Sequence, residues 1–294
     1  MRNKFKYLRP STSEEASKIK AEYGRRAKCL AGGTDLLLQW RRGETDFEYC
    51  LDLTFIPELK YIQSIKKELC IGALTTLAHL EDAVEGNSLK ACIRNTVSQM
   101  CTPLIRNLAT VGGNLCNASP AADLSVLFVA LGAQAQILGK SGERSISLED
   151  FSRGVNETVL ADDEILTEIR IPLPAFRTGH SFNRVTRTVI DIAQVNTAVS
   201  LAVDATGVVV DAKIALGAVA PVPIRAKAAE QMFVGLEISQ VDQSLIEMAS
   251  NQAVTEIKPV SDIRASAAYR RQVSKVLVRR SIEESIRNLN GAVS

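Results

Sequence analysis

Two Gly-Gly pairs constrain this chain more than any other feature of its sequence. One lies in LAGGTDLL (residues 30–37) and the other in TVGGN (residues 110–114), each after an apolar run and beside a small polar residue. Adjacent glycines accept unusual φ/ψ values and place no Cβ in front of the backbone, so N–H groups can approach a phosphate closely. A hydroxyl such as that of Thr34 or Thr110 can add a hydrogen bond. Each pair alone is typical of ordinary turns, but the two together predict a diphosphate site.

Two aspartates accompany these motifs. Asp123 follows the second motif in ATVGGNLCNASPAADL, and a carboxylate beyond a phosphate loop can accept hydrogen bonds from ribose or ribityl hydroxyls. Asp35 lies inside the first motif, where a carboxylate repels phosphate, so we expect its side chain to point away and to cap the turn. No GxGxxG motif follows a strand, and the Rossmann fingerprint is therefore missing.

The composition excludes several classes of function. The 294 residues carry 35 Lys plus Arg against 33 Asp plus Glu, a net charge of +2 that argues against a general nucleic-acid-binding protein. The aromatic content of 5% argues against a platform on which single-stranded bases stack. The sequence has neither the apolar run of a signal peptide nor that of a membrane span, so we expect a cytoplasmic protein.

Cysteine and histidine offer little for catalysis or metal binding. The six cysteines are scattered without a CxxC pair, which favours reduced, buried thiols over a metal site or an iron–sulfur cluster in this chain. The two histidines belong to no nucleophile–His–acid signature. We therefore expect neither catalytic side chains nor metal ligands in this chain.

The residue patterns predict an α+β fold. The first fifty residues are typical of a small α/β unit, hairpins are predicted over residues 59–74 and 133–151, and a buried helix follows the second glycine motif. The prolines of IPLPAFR (residues 171–177) predict a domain boundary. Three strands of an antiparallel sheet and then helices follow. The longest helix, over residues 266–289, has an arginine-rich face that indicates a solvated surface or, alternatively, a subunit contact.

Several motifs in order carry a family resemblance. The segments LAGGTDLL, IRNLATVGGNLCNASPAADL, DEILTEIRIPLP, DIAQVNTAV and DIRASAAYRRQVSKVLVRR together resemble the FAD-binding (medium) subunit of the molybdenum hydroxylases. This is the family of xanthine dehydrogenase and carbon monoxide dehydrogenase. The resemblance extends from residue 31 to residue 280, nearly the whole chain, and is more specific than either glycine motif alone.

The resemblance implies a two-domain architecture. Residues 1–175 would form an FAD-binding domain of the vanillyl-alcohol oxidase and p-cresol methylhydroxylase type, with subdomains at residues 1–55 and 56–175. Residues 176–294 would form a C-terminal domain of the carbon monoxide dehydrogenase flavoprotein type, consisting of a three-stranded antiparallel sheet with a helical bundle.

The resemblance also implies roles for individual residues. The first motif would wrap the pyrophosphate of FAD, and the second would hold the other side of the diphosphate and the ribityl chain. Asp123 would bind FAD, Leu166 would lie beside the adenine or the flavin, and Arg184 would stand near the isoalloxazine, where many members have lysine. The implied cofactor-binding residues are Leu30, Ala31, Gly32, Gly33, Thr34, Asp35, Leu36, Leu37, Thr110, Val111, Gly112, Gly113, Asn114, Asp123, Leu166 and Arg184.

The implied function is electron transfer within a complex. A substrate, for example a purine such as xanthine, would be hydroxylated at a molybdopterin centre on a large subunit. Electrons would pass through 2Fe–2S clusters on a small subunit to the FAD of this chain and on to NAD⁺ or another acceptor, with Arg184 stabilising the reduced flavin. Two alternatives stay open. One is a stand-alone flavin-dependent oxidoreductase, and the other is a non-catalytic nucleotide-binding assembly subunit.

Overall fold

The computed structural model describes residues 4–83 and 86–291, and it begins with a three-stranded parallel sheet in the order β1-β3-β2. The elements of this first unit are β1 (Lys6–Leu8), α1 (Ser13–Tyr23), β2 (Ala27–Leu30), α2 (Leu36–Arg42) and β3 (Tyr49–Asp52). The Thr12 hydroxyl caps the N-terminus of α1, and Gly24, with a φ of 55°, ends it. The first glycine motif therefore occupies the connection between the carboxyl end of β2 and the start of α2.

The second unit is a five-stranded antiparallel sheet in the order β4-β5-β10-β6-β7, with a cluster of helices between β5 and β6. Its elements are β4 (Ile62–Ile65), β5 (Glu68–Gly72), α3 (Leu77–Ala83), α4 (Ser88–Ser98), α5 (Pro103–Arg106), α6 (Val111–Cys116), α7 (Asp123–Ala130), β6 (Gln134–Gly139), β7 (Gly142–Ser147), β8 (Ser152–Gly154), β9 (Glu157–Thr158) and β10 (Ile165–Pro172). The predicted hairpins are the pairs β4–β5 and β6–β7. The second glycine motif lies in α6.

The third unit is a four-stranded antiparallel sheet in the order β11-β12-β13-β14, and its own helices pack against one face. Its elements are β11 (Arg177–Val185), β12 (Val195–Val203), β13 (Val209–Gly217), β14 (Ile224–Arg225), α8 (Lys227–Gln231), α9 (Gln243–Thr255) and α10 (Ala267–Gly291). The α+β class and the long C-terminal helix are confirmed. The prediction of three strands missed β14, because a two-residue strand is too short to show a periodic pattern.

One strand and one helix join the second and third units. All nine residues of β12 are buried, because α10 packs on one face of the sheet and α7 on the other. All eight residues of α7 are buried as well, since the apolar residues of both sheets surround it. The helix buries its apolar surface all round, which is typical of a core helix rather than an amphipathic one.

The arginine-rich C-terminal helix is solvated over only part of its face. Arg271, Arg280 and Arg287 are exposed, as the sequence predicts. Arg270 is only 4% exposed, and for this residue the prediction of a solvated face was wrong. Its Nη1 and Nη2 donate to three acceptors, which offsets the cost of burying the charge.

Candidate functional site

The first glycine motif packs backbone against backbone on the segment that precedes the second. A Cβ placed on Gly32 would lie 1.8 Å from the carbonyl oxygen of Leu108, so no other residue fits there without moving the chain. Gly33 has a φ of 71°, a left-handed conformation that residues with a Cβ rarely adopt. Each residue of this motif is exposed or half-buried. The motif therefore offers an accessible backbone beside the entry to the second motif.

The second glycine motif begins a short helix instead of forming the expected loop. Thr110 is the N-cap of α6, and its Oγ1 accepts a hydrogen bond from the N–H of Gly113 at 3.0 Å. The N–H of Gly112 donates to the carbonyl oxygen of Ala73 at 2.8 Å, and a Cβ on Gly112 would lie 2.7 Å from that oxygen. The glycines therefore let the helix dock closely on the end of β5. The Thr110 hydroxyl keeps its proton and one lone pair for a ligand.

The two motifs meet at the junction of the first and second units, and the surface between residues 30–37 and 110–117 is called the cleft below. Gln39 of α2 donates to Asn117, just after α6, over 3.3 Å. Cys116 is exposed, and yet burial, with a smaller contribution from Cys29 on β2, raises the pKa of its thiol to about 12. The contribution of Cys29 indicates that the Cys116 thiol lies near β2.

An unpaired amide oxygen lies in the second motif. Oδ1 of Asn114 is buried and has no hydrogen-bond partner within the described residues. Most buried polar atoms in proteins are paired, so an orphaned one indicates a missing ligand or water. An amide oxygen only accepts hydrogen bonds, and it would suit a hydroxyl group of a bound molecule.

Asp35 does not play the capping role that its position suggests. It is the N-cap residue of α2, but its side chain makes no capping hydrogen bond, and that prediction was wrong. Burial raises the pKa of its carboxyl above the usual value. Burial raises the pKa of the Cys101 thiol, and the charges of Asp123 and of Asp35 raise it further, so both carboxylates act electrostatically on this thiol.

Asp123 and Arg184 form a buried ion pair that joins α7 to β11. Nη1 of Arg184 donates to Oδ2 of Asp123, and the two side chains are only 5% and 7% exposed. Nδ2 of Asn196, on β12, donates to the other carboxylate oxygen at 2.6 Å. Burial raises the pKa of the Asp123 carboxyl, while Arg184 and Asn196 act in the opposite direction.

The guanidinium of Arg184 also holds a loop. Its Nη2 donates to the backbone oxygen of Asp191, in the segment that connects β11 to β12. That segment exposes three aliphatic side chains, with Val189 81% exposed, Ile190 53% and Ile192 55%. One side chain therefore links the Asp123 region to an exposed apolar loop beside it.

The comparisons with known proteins agree with this geometry. Residues 3–174 match the family model described as the FAD binding domain in molybdopterin dehydrogenase, and residues 180–285 match the CO dehydrogenase flavoprotein C-terminal domain. The first match alone covers more than half of the chain.

The chain belongs to the FAD-binding subunits of the molybdopterin dehydrogenase family.

Relatives of known identity are similar over their whole length. The chain is 32% identical over 285 residues to the carbon monoxide dehydrogenase medium chain of Afipia carboxidovorans, with 96% of each chain covered. It is 29% identical over 289 residues to the xanthine dehydrogenase FAD-binding subunit of Escherichia coli O157:H7, with 97% of each covered. A chain of the reconstituted CO dehydrogenase from Oligotropha carboxidovorans matches with a TM-score of 0.91 at 31% identity, covering 98% of this chain and 99% of that one.

This chain is thus an FAD-binding oxidoreductase subunit of a molybdenum hydroxylase family complex. The cleft fits the cofactor of the family, because the first motif presents accessible backbone and the orphaned Asn114 oxygen suits a sugar or ribityl hydroxyl. Within residues 4–83 and 86–291, no three His, Cys, Asp or Glu side chains are grouped so that they could hold a metal ion. In the same residues, no helix has both the length and the apolar character needed to cross a membrane.

The structure places one expected FAD neighbour inside the apolar core. Leu166 on β10 is 4% exposed and packs in the core of the second unit, opposite Ile137 of β6. Its side chain is therefore enclosed by protein, and its place beside the adenine or the flavin stays a prediction.

Sequence reasoning assigned no role to two residues that support the site. Asn196 lies in the motif DIAQVNTAV, and its contact with Asp123 spans 73 residues of sequence. Arg270 lies in the arginine-rich motif of α10. Their motifs were visible in the sequence, but only the three-dimensional structure shows which groups the two side chains contact.

Proposed function

We propose that this chain binds FAD along the cleft between residues 30–37 and 110–117, with Asp123 at one end. The observation that carries the proposal is the direct packing of Gly32 on the Leu108 carbonyl, because it brings the two glycine motifs together. The orphaned oxygen of Asn114 supports it from the second motif. Nucleotide diphosphates are bound by accessible backbone N–H groups of this kind.

The two glycine motifs, Asp123 and Arg184 each have a role in this proposal. The half-buried backbone of residues 30–35 holds the pyrophosphate, and α2 continues the wall through Leu36 and Leu37. Residues 110–114 hold the ribityl side, where the amide oxygen of Asn114 accepts a hydrogen bond from a hydroxyl. Asp123 and Arg184 form the wall next to the isoalloxazine as a pair, not as two separate charged ligands.

The pairing changes the proposed electrostatic role of Arg184. A free arginine beside the flavin would favour negative charge on the reduced ring, whereas Asp123 neutralises most of that effect. We propose that Arg184 mainly orients Asp123 and the loop that contains Asp191. FAD supplies the ability to take up electrons singly and to deliver two together, and the chain supplies binding and orientation.

We further propose that the chain passes electrons from an iron–sulfur small subunit to NAD⁺ or another acceptor. A large subunit with a molybdopterin centre would oxidise the substrate, and a purine such as xanthine is one candidate. The medium-chain and FAD-subunit names of the relatives support a role within a multi-subunit complex. We propose a cytoplasmic location, and a domain boundary near residue 175, between β10 and β11.

The absorbance spectrum of the purified chain before and after dithionite tests the core of this proposal, with the released cofactor identified by chromatography. We expect FAD whose visible bands bleach on reduction. A colourless protein that takes up no added FAD would contradict the proposal. Co-purification with a molybdenum subunit and an iron–sulfur subunit, followed by turnover assays with NAD⁺ and artificial acceptors, separates the complex from a stand-alone oxidoreductase.

A further inference from the structure

One buried guanidinium joins three segments behind the cofactor cleft. Arg270 lies in the first turns of α10 (Ala267–Gly291) and is 4% exposed. Its Nη1 donates to the backbone oxygens of Gln194 at 2.7 Å and Ala218 at 2.8 Å, and its Nη2 donates to Oδ1 of Asp262 at 2.7 Å. The planar, forked donor set of arginine suits acceptors in different directions, which a lysine ammonium does not reproduce.

The two carbonyls belong to segments that touch the Asp123 region. Ala218 has a φ of 60°, a conformation that few non-glycine residues adopt, and its N–H donates to the backbone oxygen of Pro120 at 2.7 Å. Two residues after Gln194 comes Asn196, which donates to Asp123. The guanidinium is therefore one layer behind the groups that hold the Asp123 carboxylate.

The third acceptor is itself fixed. Oδ1 of Asp262 accepts hydrogen bonds from the N–H groups of Arg264 at 2.9 Å and Ala265 at 3.1 Å. Burial alone would raise the pKa of the Asp262 carboxyl, but these hydrogen bonds and Arg270 hold it below its usual value. The Gln194 side chain donates to the Arg264 oxygen at 2.8 Å and joins this turn to the loop after β11. The Asp262 carboxylate, which anchors Arg270, is thus charged and held by backbone hydrogen bonds.

We infer that Arg270 is a positioning residue for the cofactor site. By holding Gln194 and Ala218, it sets where Asn196 and Pro120 present Asp123 to the cleft. The inference rests on the proposed function, since it assumes that FAD lies against Asp123. It gives a specific role to one arginine of a motif in which Arg271 and Arg280 are exposed.

The test compares FAD binding by full-length Arg270→Gln, Arg270→Lys and wild-type protein, with Arg271→Gln as the matched control. Arg271 is the next residue and is exposed. Each chain is stripped of cofactor, titrated with FAD by flavin fluorescence quenching, and melted with and without FAD. We expect both Arg270 variants to bind FAD about tenfold more weakly and to lose part of the FAD-induced rise in Tm. Arg271→Gln should bind as the wild type does.

The outcomes separate positioning from bulk stability. A purely structural role would lower the Tm of the cofactor-free chain but leave FAD affinity unchanged, and that result would overturn the inference alone. If Arg270→Gln does not fold, Asp262→Asn decides the matter, because it keeps Arg270 and both carbonyls but weakens its anchor. Weaker FAD binding by Asp262→Asn supports the inference, and wild-type binding overturns it. A wild-type chain that binds no FAD would overturn the proposed function and this inference together.

Discussion

Arg184 on β11 and Asp123 at the start of α7 are paired side chain to side chain across the boundary between two sheets, and both are almost fully buried. If one charge of a buried ion pair is removed, the other remains in the protein interior without compensation, which is strongly destabilising. The pair therefore couples the cleft to the third unit.

Removing one partner of this pair should strongly destabilise the folded chain. We expect Arg184→Met to lower the free energy of unfolding by about 3–5 kcal/mol, since it leaves the Asp123 carboxylate buried without its counter-charge. The double variant Asp123→Asn with Arg184→Met should recover part of that loss. Urea unfolding measures both, with Arg187→Met as the control, because the Arg187 side chain is 82% exposed in its own ion pair. Equal losses for the Arg184 and Arg187 variants would contradict this expectation.

The orphaned oxygen of Asn114 predicts a variant that separates binding from stability. Asn114→Ala removes a buried acceptor that no described protein group satisfies, so we expect the unfolding free energy of the cofactor-free chain to change by less than about 0.5 kcal/mol. FAD affinity should fall about tenfold, as expected when one hydrogen bond is lost. Calorimetric titration measures the affinity, and Asn95→Ala on the exposed side of α4 is the control. Unchanged FAD affinity would remove Asn114 from the site.

The close packing of Gly32 predicts that a side chain there would clash with the backbone, which differs from the strain of a positive φ. Gly32→Ala places a Cβ 1.8 Å from the Leu108 oxygen, and we expect a loss of at least about 3 kcal/mol together with weak FAD binding. Gly43→Ala is the matched control, because its φ is 76° but its Cβ would meet no atom within 4 Å. That variant should lose only about 1 kcal/mol. A Gly32→Ala protein as stable as Gly43→Ala would refute the backbone contact.

Buried His180 predicts a pH dependence of stability. Burial, assisted by the charge of Lys213, lowers the pKa of His180 to about 4, and neither ring nitrogen has a described partner. Between about pH 6.5 and pH 4, this histidine is protonated in the unfolded chain, where its pKa is near 6.5, but stays neutral in the folded chain. Stability should therefore fall as the pH decreases from about 6.5 to 4, by roughly 3 kcal/mol from this group.

The two histidines of the chain make this test clean. His180→Gln should flatten the decline in unfolding free energy between pH 6.5 and pH 4, measured by urea unfolding at several pH values. His79 is exposed, and His79→Gln should leave the decline unchanged. If the His180 variant keeps the wild-type slope, another group is responsible.

Local patterns predicted most of the elements but not the partners of the site residues. The helix that ends at Gly24 and the apolar helix α7 follow from capping and composition over neighbouring residues. The Asp123–Arg184 contact spans 61 residues, and no periodicity links positions so far apart. The second glycine motif was predicted as a loop because adjacent glycines are typical of turns, whereas Thr110 caps a short helix there. Arg270 was expected in solvent because its exposed neighbours dominate the charge pattern.

The all-round burial of α7 has a consequence for how the chain can be divided. Its residues carry no polar face that could meet water, and the strands β12 and β13 cover one side of it. A fragment that ends after β10 would leave that side bare, and we expect it to aggregate or to be degraded in the cell. We therefore expect that residues 3–174, which match the FAD-domain family model, need the third unit in order to fold.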